Sequence, residues 1–143
     1  MKEYQSLSHT RWDCKYHVVF IPKCRKKAIY GALRKHLGEI FRELAQQREC
    51  DVVDGHLMQD HVHMCLSVPP KYSVSNIVGF IKGKSAISIA RQFGGCQRNF
   101  TGEVFWARGY FVSTVELDEE MVRGYIRHQE KEDDRYDQVK LGV

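Results

Sequence analysis

Alternating side chains in residues 14–22, "CKYHVVFIP", predict the first strand of a sheet. Apolar residues fall on both faces of this extended segment, so we expect a central strand covered on both sides, and Pro22 ends it. The next stretch, residues 26–48, carries apolar residues every three or four positions, which is helical spacing. The residues of this helical stripe are Ile29, Leu33, Leu37, Ile40, Phe41 and Leu44.

A second alternating segment, "QDHVHMCLSV", has one apolar and one polar face. The apolar series is Val62, Met64, Leu66 and Val68, and the opposite series is His61, His63, Cys65 and Ser67. Because the apolar face belongs under helices, we expect both histidines to point to the open face of the sheet. The rise of a strand puts their Cα atoms about 6.7 Å apart.

Weaker signals complete the order of elements. The segment "CDVVDGHLM" predicts another strand, and a helix follows with Ser73 or Ser75 as its N-cap and Gly94 beyond its end. The segment "VFWARGYFVSTV" predicts a strand that bends at Gly109. A last helix, at about residues 118–135, begins at Asp118.

The resulting order, β-α-β-β-α-β-α, predicts an α+β fold of the ferredoxin-like type. Two helices pack on one face of a small antiparallel sheet, and the C-terminal helix is an addition. The second face of the sheet is then available for a site or a partner.

Length and composition agree with one compact domain over residues 1–143, because the chain is too short for two domains of ordinary size. Its five cysteines form no CxxC pair, which favours reduced thiols over a disulfide framework or a zinc ribbon. No apolar run approaches ~20 residues and the N-terminus has no signal core, so we expect a cytoplasmic protein without a membrane partner. The net charge of +4 is compatible with nucleic acid.

The histidine pair alone has several interpretations. Two histidines on a half-exposed strand are most often surface polar groups. A histidine-triad nucleotide hydrolase would need a third histidine where this chain has Cys65, and a zinc site from these residues would need a further ligand.

The C-terminal helix supplies a second candidate group. Tyr125 and Gln129 lie four residues apart, on one helical face, whereas Val122 and Ile126 form the neighbouring face and are expected to dock the helix on the core. Taken alone, Tyr125 could be an ordinary packing residue.

The combination of His-hydrophobe-His on a strand with Tyr-x-x-x-Gln on a C-terminal helix resembles the HUH single-tyrosine transposases. It is most similar to the insertion-sequence 200/605 family. The segments "SLSHTRWDCKYHVVFIPKCRKK", "SVSNIVGFIKGKSA" and "FWARGYFVSTV" share the style of that family. The resemblance covers roughly residues 6–134, and the tail after Tyr136 is short.

The resemblance implies a function for each matched residue. His61 and His63 would bind a divalent cation, Mg²⁺ or Mn²⁺, with Gln129 completing its protein ligands, and Tyr125 would be the nucleophile. The family cleaves and rejoins single-stranded DNA through a 5′-phosphotyrosine intermediate and recognises hairpins near the element ends. Its members act as homodimers in which the tyrosine helix can serve the partner's histidines.

Basic and aromatic residues are candidate DNA contacts, although any single one could equally be a solvated charge or a core residue. The basic candidates are Arg11, Lys15, Lys23, Arg25, Lys26, Lys27, Lys82, Lys84 and Arg108, and the aromatic ones are Trp12, Trp106 and Tyr110. Two alternatives stay open: a non-catalytic or domesticated hairpin-binding protein of the same fold, and a relative that processes dispersed palindromic repeats.

Overall fold

A computed structural model describes residues 5–7, 10–23, 29, 31–93, 105–114 and 116–140 of the chain. The strands are β1 (Gln5–Leu7), β2 (Thr10–Trp12), β3 (Lys15–Phe20), β4 (Asp51–Leu57), β5 (Val62–Ser67) and β6 (Phe111–Ser113). The helices are α1 (Gly31–Gln46), α2 (Val74–Gln92) and α3 (Glu119–Lys140).

Strands β3 to β6 form a four-stranded antiparallel sheet in the order β4-β5-β3-β6. The predicted α+β, ferredoxin-like architecture is confirmed, and β3 is a central strand as its two apolar faces predicted. The strands β1 and β2 form a separate antiparallel pair that was not predicted. These strands have three residues each, too few for alternation to stand out from the surrounding polar sequence.

Helices α1 and α2 cover one face of the sheet. The predicted stripe of α1 is buried at Leu33, Leu37, Phe41 and Leu44, and it packs with the apolar series of β5. Ser73 is the N-cap of α2, since its hydroxyl accepts a hydrogen bond from the backbone N–H of Asn76. Gly94, the predicted end signal, lies outside the described residues.

Helix α3 lies on the opposite face of the sheet. Asp118 caps it by accepting a hydrogen bond of 2.7 Å from the N–H of Met121, and the helix extends to Lys140, beyond the predicted end. Val122 and Ile126 are buried in a small second core with Val19 and Ile21, so they dock α3 as predicted. The second face of the sheet is therefore partly covered by the chain's own helix.

Strand β4 contains a bulge that decides which face its residues share. The pairing moves from Val52↔Leu66 to Asp54↔Cys65, which leaves Val53 as an additional, exposed residue. A one-residue offset exchanges the two faces of a strand, so the bulge puts the rest of β4 in a register that pairs His56 with His63. No helix in the described part of the chain is long and apolar enough to cross a membrane.

Candidate active site

His63 lies at the centre of a histidine cluster on the α3 side of the sheet. The Nδ1 atom of His17 lies 3.3 Å from its Nε2 atom, and the rings of His56 and His63 are 6.0 Å apart. Burial lowers the pKa of His63, and the neighbouring histidines lower it further. His63 is therefore held as the neutral imidazole, the form that ligates a metal.

His61 lies beside this cluster, directly before β5, and is held by its neighbour in sequence. Its Nδ1 atom lies 2.8 Å from Oδ1 of Asp60. When a neutral imidazole donates Nδ1–H to a carboxylate, the lone pair of Nε2 is free for a ligand. The histidine pair thus shares one face of the sheet, as the alternation predicted.

Three residues of this cluster were missed as site residues from the sequence. The Asp60-His61 adjacency was a readable signal for a carboxylate that orients a ligand histidine. The alternation of β3 placed His17 on one of two faces, but its contact with His63 depends on the pairing of β3 with β5. The position of His56 depends on the β4 bulge, for which the sequence has no clear signal.

A cleft of about 650 Å³ separates the histidines from α3. Its lining carries five carboxylates, from Asp60, Glu116, Asp118, Glu119 and Glu130, and two guanidinium groups, from Arg123 and Arg127. This excess of negative charge attracts a cation and repels a phosphodiester that has no counter-ion.

Tyr125 does not line this cleft. It packs against Phe111 of β6, with the ring centroids 5.8 Å apart, and burial raises the pKa of its phenol to about 12. Its hydroxyl is buried and has no hydrogen-bond partner among the described residues. In this arrangement the phenol stays protonated at neutral pH and lies against β6, while other residues of α3 line the cleft beside the histidine pair.

Gln129 lies on the same side of α3 as Tyr125, as their spacing predicted. Its Nε2 donates a hydrogen bond to the carbonyl of Arg108. The fold of one chain therefore brings His61 and His63 together, and it brings Tyr125 and Gln129 together, but it does not join the two pairs.

Only two of the three predicted metal ligands, His61 and His63, come together within one chain. No group of three or more His, Cys, Asp or Glu residues in the described part of the chain could hold a metal ion. The imidazoles of His61 and His63 and the carboxylate-rich cleft suit a divalent cation, although Nε2 of His63 contacts His17 in this structure and would have to exchange that contact for the cation.

The predicted DNA contacts have very different environments. Lys84 and Arg108 are exposed and line a groove of about 500 Å³ between α2 and residues 106–108. Lys15 pairs with Asp13 at 3.3 Å, and the half-buried Lys82 donates a hydrogen bond to the carbonyl of Ala107. Arg11 is exposed and Lys23 is half-buried. Arg25, Lys26 and Lys27 lie outside the described residues.

The aromatic candidates are mostly core residues. Trp106 is 5% exposed and packs edge-on against Phe20, with ring centroids 4.7 Å apart, so its face is not available for stacking on a base. Trp12 is also buried, and the half-buried Tyr110 packs against the main core.

Comparison with known families gives a direct result. The family model described as "Transposase IS200 like" matches residues 10–129, which include both histidines, Tyr125 and Gln129. The chain belongs to the IS200-like transposase family. Its activity is accordingly that of a DNA-processing enzyme of transposition.

Relatives in this family align over most of the chain. The transposase for insertion sequence element IS200 of Salmonella typhimurium is 41% identical over 141 residues, which is 99% of this chain and 93% of that protein. The ISDra2 transposase TnpA of Deinococcus radiodurans is 28% identical over 119 residues, covering 82% of this chain and 85% of the relative.

Solved structures share the fold of this IS200-like chain. A crystal structure of a Deinococcus radiodurans protein described as a transposase superposes with a TM-score of 0.75 at 23% identity, covering 87% of this chain and 97% of the other. The structure of a REP-associated tyrosine transposase bound to a REP hairpin superposes with a TM-score of 0.55 at 12% identity, covering 99% of this chain and 75% of the other.

Proposed function

We propose that this chain is a metal-dependent, single-tyrosine transposase that cleaves and rejoins single-stranded DNA at the ends of an insertion sequence. The observation that carries the proposal is the cleft of this IS200-like chain. A histidine pair on one wall of the cleft faces the helix that also carries Tyr125. We further propose that residues 1–143 form a single HUH domain.

His61, His63 and Gln129 would hold a divalent cation, Mg²⁺ or Mn²⁺. Such a cation, when bound, neutralises charge on the scissile phosphate and orients it for in-line displacement. The carboxylates of the cleft support this assignment because they favour a cation beside the histidines.

Tyr125 would attack the phosphorus atom through its phenol oxygen. As the new O–P bond forms, the phenol releases its proton to solvent and the bond from phosphorus to the 3′-oxygen of the departing strand breaks. That oxygen takes up a proton from solvent, so the products are a 5′-phosphotyrosine and a free 3′-hydroxyl. The number of phosphoester bonds is unchanged. The 3′-hydroxyl of another strand can therefore reverse the step and join the DNA without ATP.

A homodimer in which α3 of one chain serves the histidines of the other would complete this site. Two observations support that arrangement. Tyr125 and Gln129 do not line their own chain's cleft, and the buried Tyr125 hydroxyl has no partner among the described residues. Leaving a buried hydroxyl unsatisfied costs about 1–3 kcal/mol, a cost that would be removed if the phenol moved to a phosphate in the partner's site.

The DNA substrate would be a hairpin near each element end. Among the predicted contacts, Lys84 and Arg108 are exposed beside one groove and Arg11 is exposed on β2, so we propose that these three bind its phosphates. Lys15, Lys23 and Arg25 remain candidate contacts from the sequence.

The test is an incubation of a labelled hairpin-end oligonucleotide with the protein and Mn²⁺, followed by denaturing electrophoresis. We expect a covalent protein–DNA adduct that is absent in Tyr125→Phe and in the presence of EDTA. Tyr110→Phe is the matched control and should form the adduct. If Tyr125→Phe still forms the adduct, the role of Tyr125 is wrong. If the adduct forms in EDTA, the role of the metal is wrong.

A further inference from the structure

Lys82 reaches from α2 to the segment that leads into β6. Its ammonium donates hydrogen bonds to the carbonyls of Ala107 at 2.8 Å and Gly109 at 2.6 Å, and it lies 5.7 Å from the centre of the Phe20 ring. Burial lowers the pKa of Lys82 to about 8, as expected for a cation withdrawn from solvent. A lysine in this position is not a surface charge.

The same turn of α2 holds this segment at a second point. Ser85 accepts a hydrogen bond of 3.0 Å from the indole N–H of Trp106. On the other side, the N–H of Ala107 donates to the carbonyl of Ile21 at 2.8 Å. Gly109 has a φ of +82°, a conformation that glycine adopts without strain and that bends the chain toward β6. Residues 106–109 are thus clamped between α2 and the end of β3.

The carbonyl of Arg108 lies between the two carbonyls that Lys82 binds, and it accepts a hydrogen bond from α3. Lys82 takes the carbonyls of Ala107 and Gly109, and the intervening carbonyl of Arg108 accepts the hydrogen bond from Gln129. The backbone of residues 107–109 therefore connects Lys82 with the helix that carries Tyr125.

We propose that Lys82 is a positioning residue for α3 and not a DNA contact. By fixing residues 106–109, it presents the Arg108 carbonyl to Gln129 and sets the start of β6, where Phe111 packs against Tyr125. The importance of these contacts for catalysis rests on the proposed function. The contacts themselves do not depend on that function, because all of them lie within the free chain.

The first experiment compares Lys82→Met with Lys84→Met, which removes the same charge from an exposed site on the same helix. Hydrogen exchange of the free proteins, without metal or DNA, should show at least about tenfold faster exchange in Lys82→Met for residues 105–113 and 119–131. Lys84→Met should exchange like the wild type, and Lys82→Arg, which keeps a charged donor, should recover part of the protection. Equal exchange in Lys82→Met and Lys84→Met overturns the proposal.

A second experiment on the wild type does not depend on the folding of a variant. Acetylation of the free protein, followed by mass spectrometry, should modify Lys82 at least about tenfold more slowly than Lys84. Adding hairpin oligonucleotide should leave the rate at Lys82 unchanged. A lysine that contacts DNA would react quickly in the free protein and become protected by the oligonucleotide, and that result at Lys82 contradicts the proposal.

These measurements separate this inference from the proposed function. Loss of the adduct in the wild type would count against the transposase chemistry and would leave the exchange result intact. Where the adduct forms, Lys82→Met should reduce its rate at saturating DNA while the Kd for the hairpin stays close to that of the wild type, whereas Lys84→Met, at a proposed phosphate contact, should weaken the Kd. A Kd weakened in Lys82→Met as much as in Lys84→Met is the signature of a DNA contact and overturns the positioning role.

Discussion

The Oδ1 atom of Asp60 lies 2.8 Å from Nδ1 of His61, the first histidine of the proposed metal site. The carboxylate fixes the orientation of the ring and the location of its proton, so that Nε2 is left for a cation. In the proposed site, two adjacent residues would thus supply one ligand together with the group that orients it.

Removing this carboxylate should weaken metal binding more than it weakens the fold. Asp60→Asn should reduce the affinity for Mn²⁺ by about 10- to 100-fold, because an amide is a weaker acceptor for the imidazole N–H. Titration of free Mn²⁺ by electron paramagnetic resonance measures this change directly. Asp51→Asn, at the exposed start of β4, is the control and should bind like the wild type. Equal affinities in the two variants would exclude an orienting role for Asp60.

Replacing Tyr125 should separate catalysis from stability. Tyr125→Phe removes a buried hydroxyl without a partner among the described residues, so the free energy of unfolding should stay the same or rise by about 1 kcal/mol. The same variant should form no DNA adduct. Urea denaturation followed by fluorescence gives the first quantity, and a stability loss would indicate a hydrogen bond of the hydroxyl in solution.

Mixing two inactive variants should restore activity if α3 acts on the partner chain. His63→Ala and Tyr125→Phe are each expected to be inactive as homodimers. In the heterodimer, the Tyr125→Phe chain supplies intact histidines and the His63→Ala chain supplies an intact tyrosine. These groups form a complete site only if a site combines residues of both chains. Co-expression with tags of different size should yield an adduct on the His63→Ala chain. Failure of well-folded heterodimers to form it would favour action within one chain.

The burial of Lys82 predicts a pH dependence of stability with a defined sign. Its pKa is about 8 in the folded chain and 10.5 for the free side chain, so between these values the unfolded chain binds more protons. Stability therefore rises with pH in this window, by up to about 2 kcal/mol between about pH 7 and about pH 9.5. Below about pH 8 the contribution is constant.

Comparison with a variant isolates this contribution from other titrating groups. The difference in unfolding free energy between wild type and Lys82→Met, measured in urea at the two pH values, should move in favour of the wild type at high pH. A difference that is independent of pH would mean that the Lys82 ammonium is better solvated than its contacts indicate.

Local patterns in the sequence were sufficient for most of the fold. The alternation around His63 predicted which side of β5 is apolar, and Ser73 and Asp118 marked the starts of α2 and α3. These features depend on residues within a few positions of one another, so periodicity and capping chemistry determine them. The short strands β1 and β2 were missed because three residues carry too little periodicity.

The sequence by itself determined the family, the face that His61 and His63 share, and the spacing that puts Tyr125 beside Gln129. Only the tertiary structure decided which side chains surround these site residues. The bulge at Val53 brings His56 to His63, and strand pairing adds His17. The packing of α2 on residues 106–109 buries Lys82, which resembled a surface cation in the sequence. These outcomes depend on register and packing between segments far apart in the chain, which no local pattern encodes.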